Sequence, residues 1–198
     1  MEFPHFVLAR LYENIEPLDR GDRYEDPLQA VLDQSQAGRV TGGGSQLNAL
    51  GGIEYAEVEI ELANLDAALG LAIKALEDAG APQGSEVIHD GKVIREFGAL
   101  QCLAVYLDGT SLPAEVYANL DFETVMKDLG SVAGPGSYRG FWQGPQETGL
   151  YFYGSSAEDI FKRVEPLLGK LPIGQNARVV LRHGKQSLNP REVRMPRH

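Results

Sequence analysis

Gly136-Ser-Tyr-Arg-Gly-Phe-Trp-Gln-Gly-Pro-Gln-Glu-Thr-Gly-Leu-Tyr-Phe-Tyr-Gly154 is the stretch on which the reading of the fold turns. It carries the single tryptophan, Trp142, and five further aromatics: Tyr138, Phe141, Tyr151, Phe152 and Tyr153. Two aromatic runs flank Gly144-Pro145, which is the pattern of a β-hairpin. Within the second run, Leu150 and Phe152 alternate with Tyr151 and Tyr153. One set must face a core and the other must face away from it.

A counterpart lies earlier in the chain. In Tyr55–Leu62, Ala56, Val58, Ile60 and Leu62 alternate with Tyr55, Glu57, Glu59 and Glu61, a strand with one apolar face and one acidic face. Moving 92 positions along the chain carries Val58 onto Leu150 and Ile60 onto Phe152. The same shift carries Leu69, Ala72 and Leu76 onto Phe161, Val164 and Leu168. A single offset that aligns a strand and a helix predicts a structural repeat.

The elements around these anchors follow the same order twice. Phe6–Tyr12 reads as a strand, followed by a polar loop, Asp19–Glu25, which contains Arg20-Gly21-Asp22. A solvated loop explains that tripeptide better than an adhesion motif. Asp26-Pro27 is expected to open a helix that Gly38 closes. A glycine-rich strand over 39–47 precedes the acidic strand, and Asn64 caps a helix with a stripe of Leu65, Ala68, Leu69, Ala72, Ile73 and Leu76. Ser85–His89 is a short strand, and Gly91–Gly98 a connector with room for one more.

In the second half, Leu100–Leu107 reads as a buried strand and Leu112–Asn119 as a loop with a helical turn. Asp121 caps a helix that Gly130 should close. Ser156 with Asp159 resembles a capping box for a helix that Pro166 should kink or shorten. Ala177–Arg182 is the last strand. Each half therefore reads βαββαβ and resembles the ferredoxin-like sandwich, an antiparallel sheet with two helices on one face. The predicted organisation is α+β, with ferredoxin-like units over 1–98 and 99–185 and a basic tail over 186–198. That fold hosts enzymes and binding modules alike, so it assigns no activity.

Composition narrows the function classes. With 43% hydrophobic and 23% charged residues, the 198-residue chain has the make-up of a globular protein. A net charge of −10 argues against nucleic acid, which needs a basic face. From Arg178 onward six Lys and Arg face one acid, Glu192, a local excess of basic charge on an acidic protein. The lone cysteine, Cys102, allows no internal disulfide and fits a reducing compartment. No run approaches the roughly 20 apolar residues of a membrane span. The first residues lack the pattern of a signal peptide. A cytoplasmic location is expected.

Two surfaces stand out as candidate sites. Glu57, Glu59 and Glu61 form an acid row on the helix-free face of the first unit, suited to a basic protein partner or to the basic tail. On the second unit Tyr151 and Tyr153 replace Glu59 and Glu61, joined by Tyr138 and Trp142. Such an aromatic face demands cover: the two sheets on each other, a second copy in a homodimer, or a ligand. Arg139 and Glu147 flank the hairpin turn, either as a substrate clamp and general base or as a cross-strand ion pair.

Motifs for other chemistry are weak. Gly42-Gly43-Gly44 lacks the Gly-Lys-Ser/Thr of a phosphate loop and fits a bulge or close backbone approach better. The four histidines, His5, His89, His183 and His198, show no metal spacing, and no cofactor is implied. Cys102, mid-strand among apolar residues, reads as an inert thiol. The expectation is a non-enzymatic binding protein of the inhibitor or immunity type, working through its acidic face. Two alternatives stay open: a module binding a small metabolite between the units, and a small enzyme at Trp142 and Arg139, with Glu147, His89 or His183 moving protons.

Overall fold

Alternation of apolar and polar side chains builds the central strands of both units. In the computed structural model, which describes residues 2–184 and 190–195, the chain is α+β with two antiparallel five-stranded sheets. It divides into two units, one of residues up to 49 and 53–100, the other of residues 50–52 and from 101 onward.

The first unit runs β1 (His5–Leu11), α1 (Pro17–Arg20), a π-helical turn (Gly21–Glu25) and α2 (Asp26–Ser35). It continues with β2 (Gly38–Leu47), β3 (Ile53–Leu62), α3 (Leu65–Asp78), β4 (Ser85–His89) and β5 (Lys92–Phe97). Its sheet order is β2-β3-β1-β4-β5. Val7, Ala9, Val58, Ile60 and Val87 form one sheet face and pack on Leu28, Leu32, Ala72 and Leu76 of the helices.

The second unit runs β6 (Gln101–Asp108), α4 (Ala114–Ala118), α5 (Phe122–Ala133), β7 (Tyr138–Gln143) and β8 (Glu147–Gly154). It ends with α6 (Ala157–Leu168), a 3₁₀ turn (Pro172–Gly174), β9 (Arg178–Arg182) and β10 (Arg191–Arg194). Its order, β7-β8-β6-β9-β10, matches the first sheet strand for strand. Leu103, Val105, Leu150, Phe152 and Val179 meet Leu129, Ile160, Val164 and Leu168 in its core.

The registers match as well. Ala9 lies between Val58 and Val87, and Val105 lies between Leu150 and Val179. Asn64 caps α3 by accepting from Ala67 N at 3.0 Å, and Ser156 caps α6 by accepting from Asp159 N at 3.1 Å. Side-chain acceptors at both N-termini satisfy donors that have no partner within the helix.

Several local expectations are corrected. Asp19–Glu25 is helical rather than a solvated loop, and Arg20 is buried there, bonded to Glu25 at 2.6 Å and to Gly44 O at 2.8 Å. Helix α2 grows out of that turn without a side-chain cap at Asp26, and Gln36 rather than Gly38 takes the left-handed position after it, at φ 52. Gly38 opens β2, where a Cβ would lie 2.4 Å from Glu61 O. Helix α5 passes Gly130 and stops at Gly134, φ 116. Helix α6 runs through Pro166 to Leu168.

The expected tail over 186–198 is partly a strand, since Arg191–Arg194 pairs with β9. Residues 185–189 and 196–198 lie outside the described residues. The connector after Asp90-Gly91 supplies β5. Three outer strands carry register shifts, at Val40/Gly42, around Ile94 and at Tyr138/Gly140, and the fourth, β10, is four residues long. Bulges and short edges of this kind oppose edge-to-edge pairing of sheets. Among the described residues no helix is long and apolar enough to cross a membrane.

Candidate functional site

The acid row is largely matched by arginines within the first unit. Glu57 accepts from Arg10 Nη2 at 2.7 Å, and Arg10 also lies 4.2 Å from the Tyr55 ring centre. Glu61 pairs with Arg39 at 2.7 Å. Glu59 makes no ion pair among the described residues. Arg10 and Glu57 are register partners on β1 and β3, so the pairing follows from strand alignment. Burial opposes the charge of Arg10, but the Glu57 carboxylate raises its pKa overall.

The same face of the second unit has other chemistry at the same positions. Tyr106 stands where Arg10 stands, and its register partner is Gly149 rather than a glutamate. A Cβ on Gly149 would come 2.9 Å from Tyr151 Oη and 3.0 Å from the Tyr106 ring, so glycine makes room for both rings. Tyr106 and Tyr151 meet edge to face, centroids 6.2 Å apart, and Arg182 donates to Tyr106 Oη. Burial pushes the Tyr151 hydroxyl well above the usual tyrosine range.

Tyr151 and Tyr153 are each 2% exposed, so neither ring is offered to solvent. Arg139 lies 5.1 Å from the Tyr153 ring centre. Glu147 is taken by Arg178, at 2.6 and 3.1 Å, and that guanidinium sits 4.1 Å from the Tyr106 ring centre. The cross-strand partner of Glu147 therefore comes from β9 rather than from Arg139 on β7. Trp142, half-buried, folds over the turn, where a Cβ on Gly144 would lie 2.0 Å from its indole.

Tyr138 belongs to the other face. The bulge at Tyr138/Gly140 places it opposite Phe152, with ring centres 5.5 Å apart and its hydroxyl 3.1 Å from Met126 Sδ. A one-residue register change reverses the side to which a strand residue points. Cys102 is buried. His89 Nδ1 lies 2.8 Å from Phe6 O, and His183 Nε2 lies 3.0 Å from Glu158. Among the described residues no three His, Cys, Asp or Glu side chains gather as a metal site.

A different site emerges on the helix side of the second unit. A cleft of about 340 Å³ lies at the C-terminal end of β6, walled by Leu107, Tyr117, Leu120, Phe122, Phe141 and Ile173, with Asp108, Gln143 and Thr148 as its polar groups. Phe122 and Phe141 meet edge to face at 5.5 Å. Phe141 stays 46% exposed, so the cleft reaches solvent. Helix α4, which supplies Tyr117, contains no buried residue.

Asp108 ends β6 as a fixed carboxylate. It accepts from Thr110 N at 2.9 Å, Ser111 N at 2.8 Å and the Ser111 hydroxyl, with Tyr117 Oη at 3.4 Å. Partial burial opposes its charge, but these donors outweigh that and hold its pKa at about 2. Tyr117 Oη also accepts from Leu112 N at 2.9 Å, which ties α4 to the strand end. Sequence reading passed over this site because its walls come from β6, α4, α5, β7, β8 and the turn after α6. The isolated signal was Phe141 on a helix-facing register beside an exposed loop.

Comparison with known proteins adds little. No family model matches the chain, and no curated protein matches it. Among solved structures, an "unknown protein" of Galdieria sulphuraria is 12% identical, with a TM-score of 0.28 over 89% of this chain and 96% of that one. A "putative monooxygenase" of Lactobacillus acidophilus is 10% identical, with a TM-score of 0.26 over 97% of this chain and 100% of that one. Likenesses this weak carry no functional argument.

Proposed function

We propose that the protein is a small-ligand-binding module of two tandem ferredoxin-like units, with the cleft of the second unit as its site. The observation that carries this reading is the solvent-reaching cleft of about 340 Å³ with Phe141 46% exposed beside it. Ligand sites span roughly 300–1,000 Å³ and combine apolar walls with a few polar groups, and this one sits at the small end. A one- or two-ring molecule is the fitting size. The matched strand order and register of the sheets support the tandem assignment.

The inhibitor reading draws less support, because Arg10 and Arg39 already neutralise Glu57 and Glu61. The enzyme reading around Trp142 and Arg139 draws less support, because Glu147, one of its candidate bases, is held by Arg178. Titration with the neutral fluorescent probe N-phenyl-1-naphthylamine tests the binding reading. Saturable fluorescence enhancement that falls at least about tenfold in affinity in Leu120→Glu, with an unchanged circular dichroism spectrum, is expected. No saturable binding, or equal binding by the variant, would reject it.

A further inference from the structure

The geometry points to a ligand class for this cleft: small organic ammonium ions carrying an apolar ring, with carboxylate ligands excluded. This inference rests on the cleft being a binding site and adds the charge of what it holds. Three aromatic side chains, Tyr117, Phe122 and Phe141, line the cleft together with one carboxylate, Asp108. Among the described residues, no Lys, Arg or His lines it. Aromatic faces attract a cation through their quadrupole, most strongly where water is partly displaced. An anion would meet the Asp108 charge with no basic side chain to offset it.

The carboxylate is also prepared for the task. Oδ1 is engaged by two backbone N–H groups and lies 3.4 Å from Tyr117 Oη, whereas among the described residues Oδ2 accepts from the Ser111 hydroxyl alone. A carboxylate oxygen accepts about two hydrogen bonds, so Oδ2 retains capacity for an ammonium N–H. The donors on the loop fix its position and keep it ionised throughout the neutral range. Gln143 and Thr148, register partners on β7 and β8, have no side-chain hydrogen bond among the described residues. They are available to the remaining N–H groups of a primary amine.

The test is a size-matched series: 2-phenylethylamine, 2-phenylethanol and phenylacetate, each measured by displacement of N-phenyl-1-naphthylamine and by calorimetry. The amine is expected to bind about tenfold tighter than the alcohol, and the acid weakest. The amine's advantage should shrink between low and high salt while the alcohol is unaffected. Asp108→Asn keeps an oxygen for the Thr110 and Ser111 N–H groups, and it should lower amine affinity about tenfold while leaving the alcohol within about twofold. Equal amine and alcohol affinities, or a tighter acid, would overturn the inference while probe binding leaves the cleft reading standing. Failure of the neutral probe as well as the series would overturn both.

Discussion

The segment between β1 and β2 and the segment between β6 and β7 hold matching places in their units, yet they close the sheet end differently. In the first unit Tyr24 is fully buried, its hydroxyl bonded to Glu13 and lying 3.2 Å from Gly80 O. Glu13, also buried, takes Arg23 at 2.7 Å, and Ile15 completes the filling. In the second unit the matching stretch is α4, with no buried residue, and the end is the cleft walled by Phe122 and Phe141.

The contrast extends to the outer strand. Gly43 pairs with Val58 where Phe141 pairs with Leu150. At Gly43 a Cβ would lie 2.5 Å from Glu57 O and 3.0 Å from the Arg20 guanidinium. One unit thus puts a helix side chain over a bare strand, and the other puts a strand side chain beside an open space. Within a common framework, a few residues decide whether a sheet end serves stability or binding.

The largest effect should come from emptying the filled end. Tyr24→Ala removes a fully buried ring and leaves Glu13 short of a donor, so a loss of about 3–5 kcal/mol is expected in urea unfolding. A loss under about 1 kcal/mol would erase the distinction between the two ends. Tyr24→Phe isolates the hydroxyl and should cost about 1–3 kcal/mol.

Next comes the strand beneath Arg20. Gly43→Ala forces the backbone or Arg20 to move, and a destabilisation of about 1–3 kcal/mol is expected. Gly44→Ala, with nothing within 4 Å of its Cβ, should stay within about 0.5 kcal/mol. Equal melting temperatures for the two variants would remove the close-approach explanation of the glycine run.

Phe141→Ala should separate the two roles. Its ring is half in solvent, so stability should fall by no more than about 1 kcal/mol, while probe affinity falls about tenfold. A stability loss as large as that of Tyr24→Ala would make the cleft wall a core element instead.

The smallest effect is set by pH. The folded pKa of Asp108, about 2, lies below the ordinary carboxylate value near 3.8. Its ionisation therefore stabilises the fold above about pH 4, and that stability is lost as pH falls toward 2. Asp108→Asn should flatten this part of an acid-unfolding profile, and an unchanged profile would show that the loop hydrogen bonds do not hold the charge.

Much of the architecture was legible in the chain because period-two and helical patterns are local. Tyr55–Leu62 and the Asn64 and Ser156 caps each rest on neighbouring residues, and the offset that links Val58 to Leu150 compares two such local patterns. Errors arose where a distant partner intervened. Arg20 reads as polar loop until Gly44 and Glu25 are seen around it. Tyr138 reads as outward until the bulge turns it onto Phe152.

The sequence by itself determined an acidic α+β chain with two similar halves, since alternation, capping residues and turn glycines act within a few positions. Tertiary structure alone decided that Arg10 and Arg39 pair with Glu57 and Glu61, that Arg178 holds Glu147, and that Tyr151 and Tyr153 are buried. It also decided where the open cleft lies, because Asp108, Tyr117, Phe141 and Ile173 come together only when separate elements pack. Charge pairing and cavity shape depend on distances through space, which spacing along the chain does not encode.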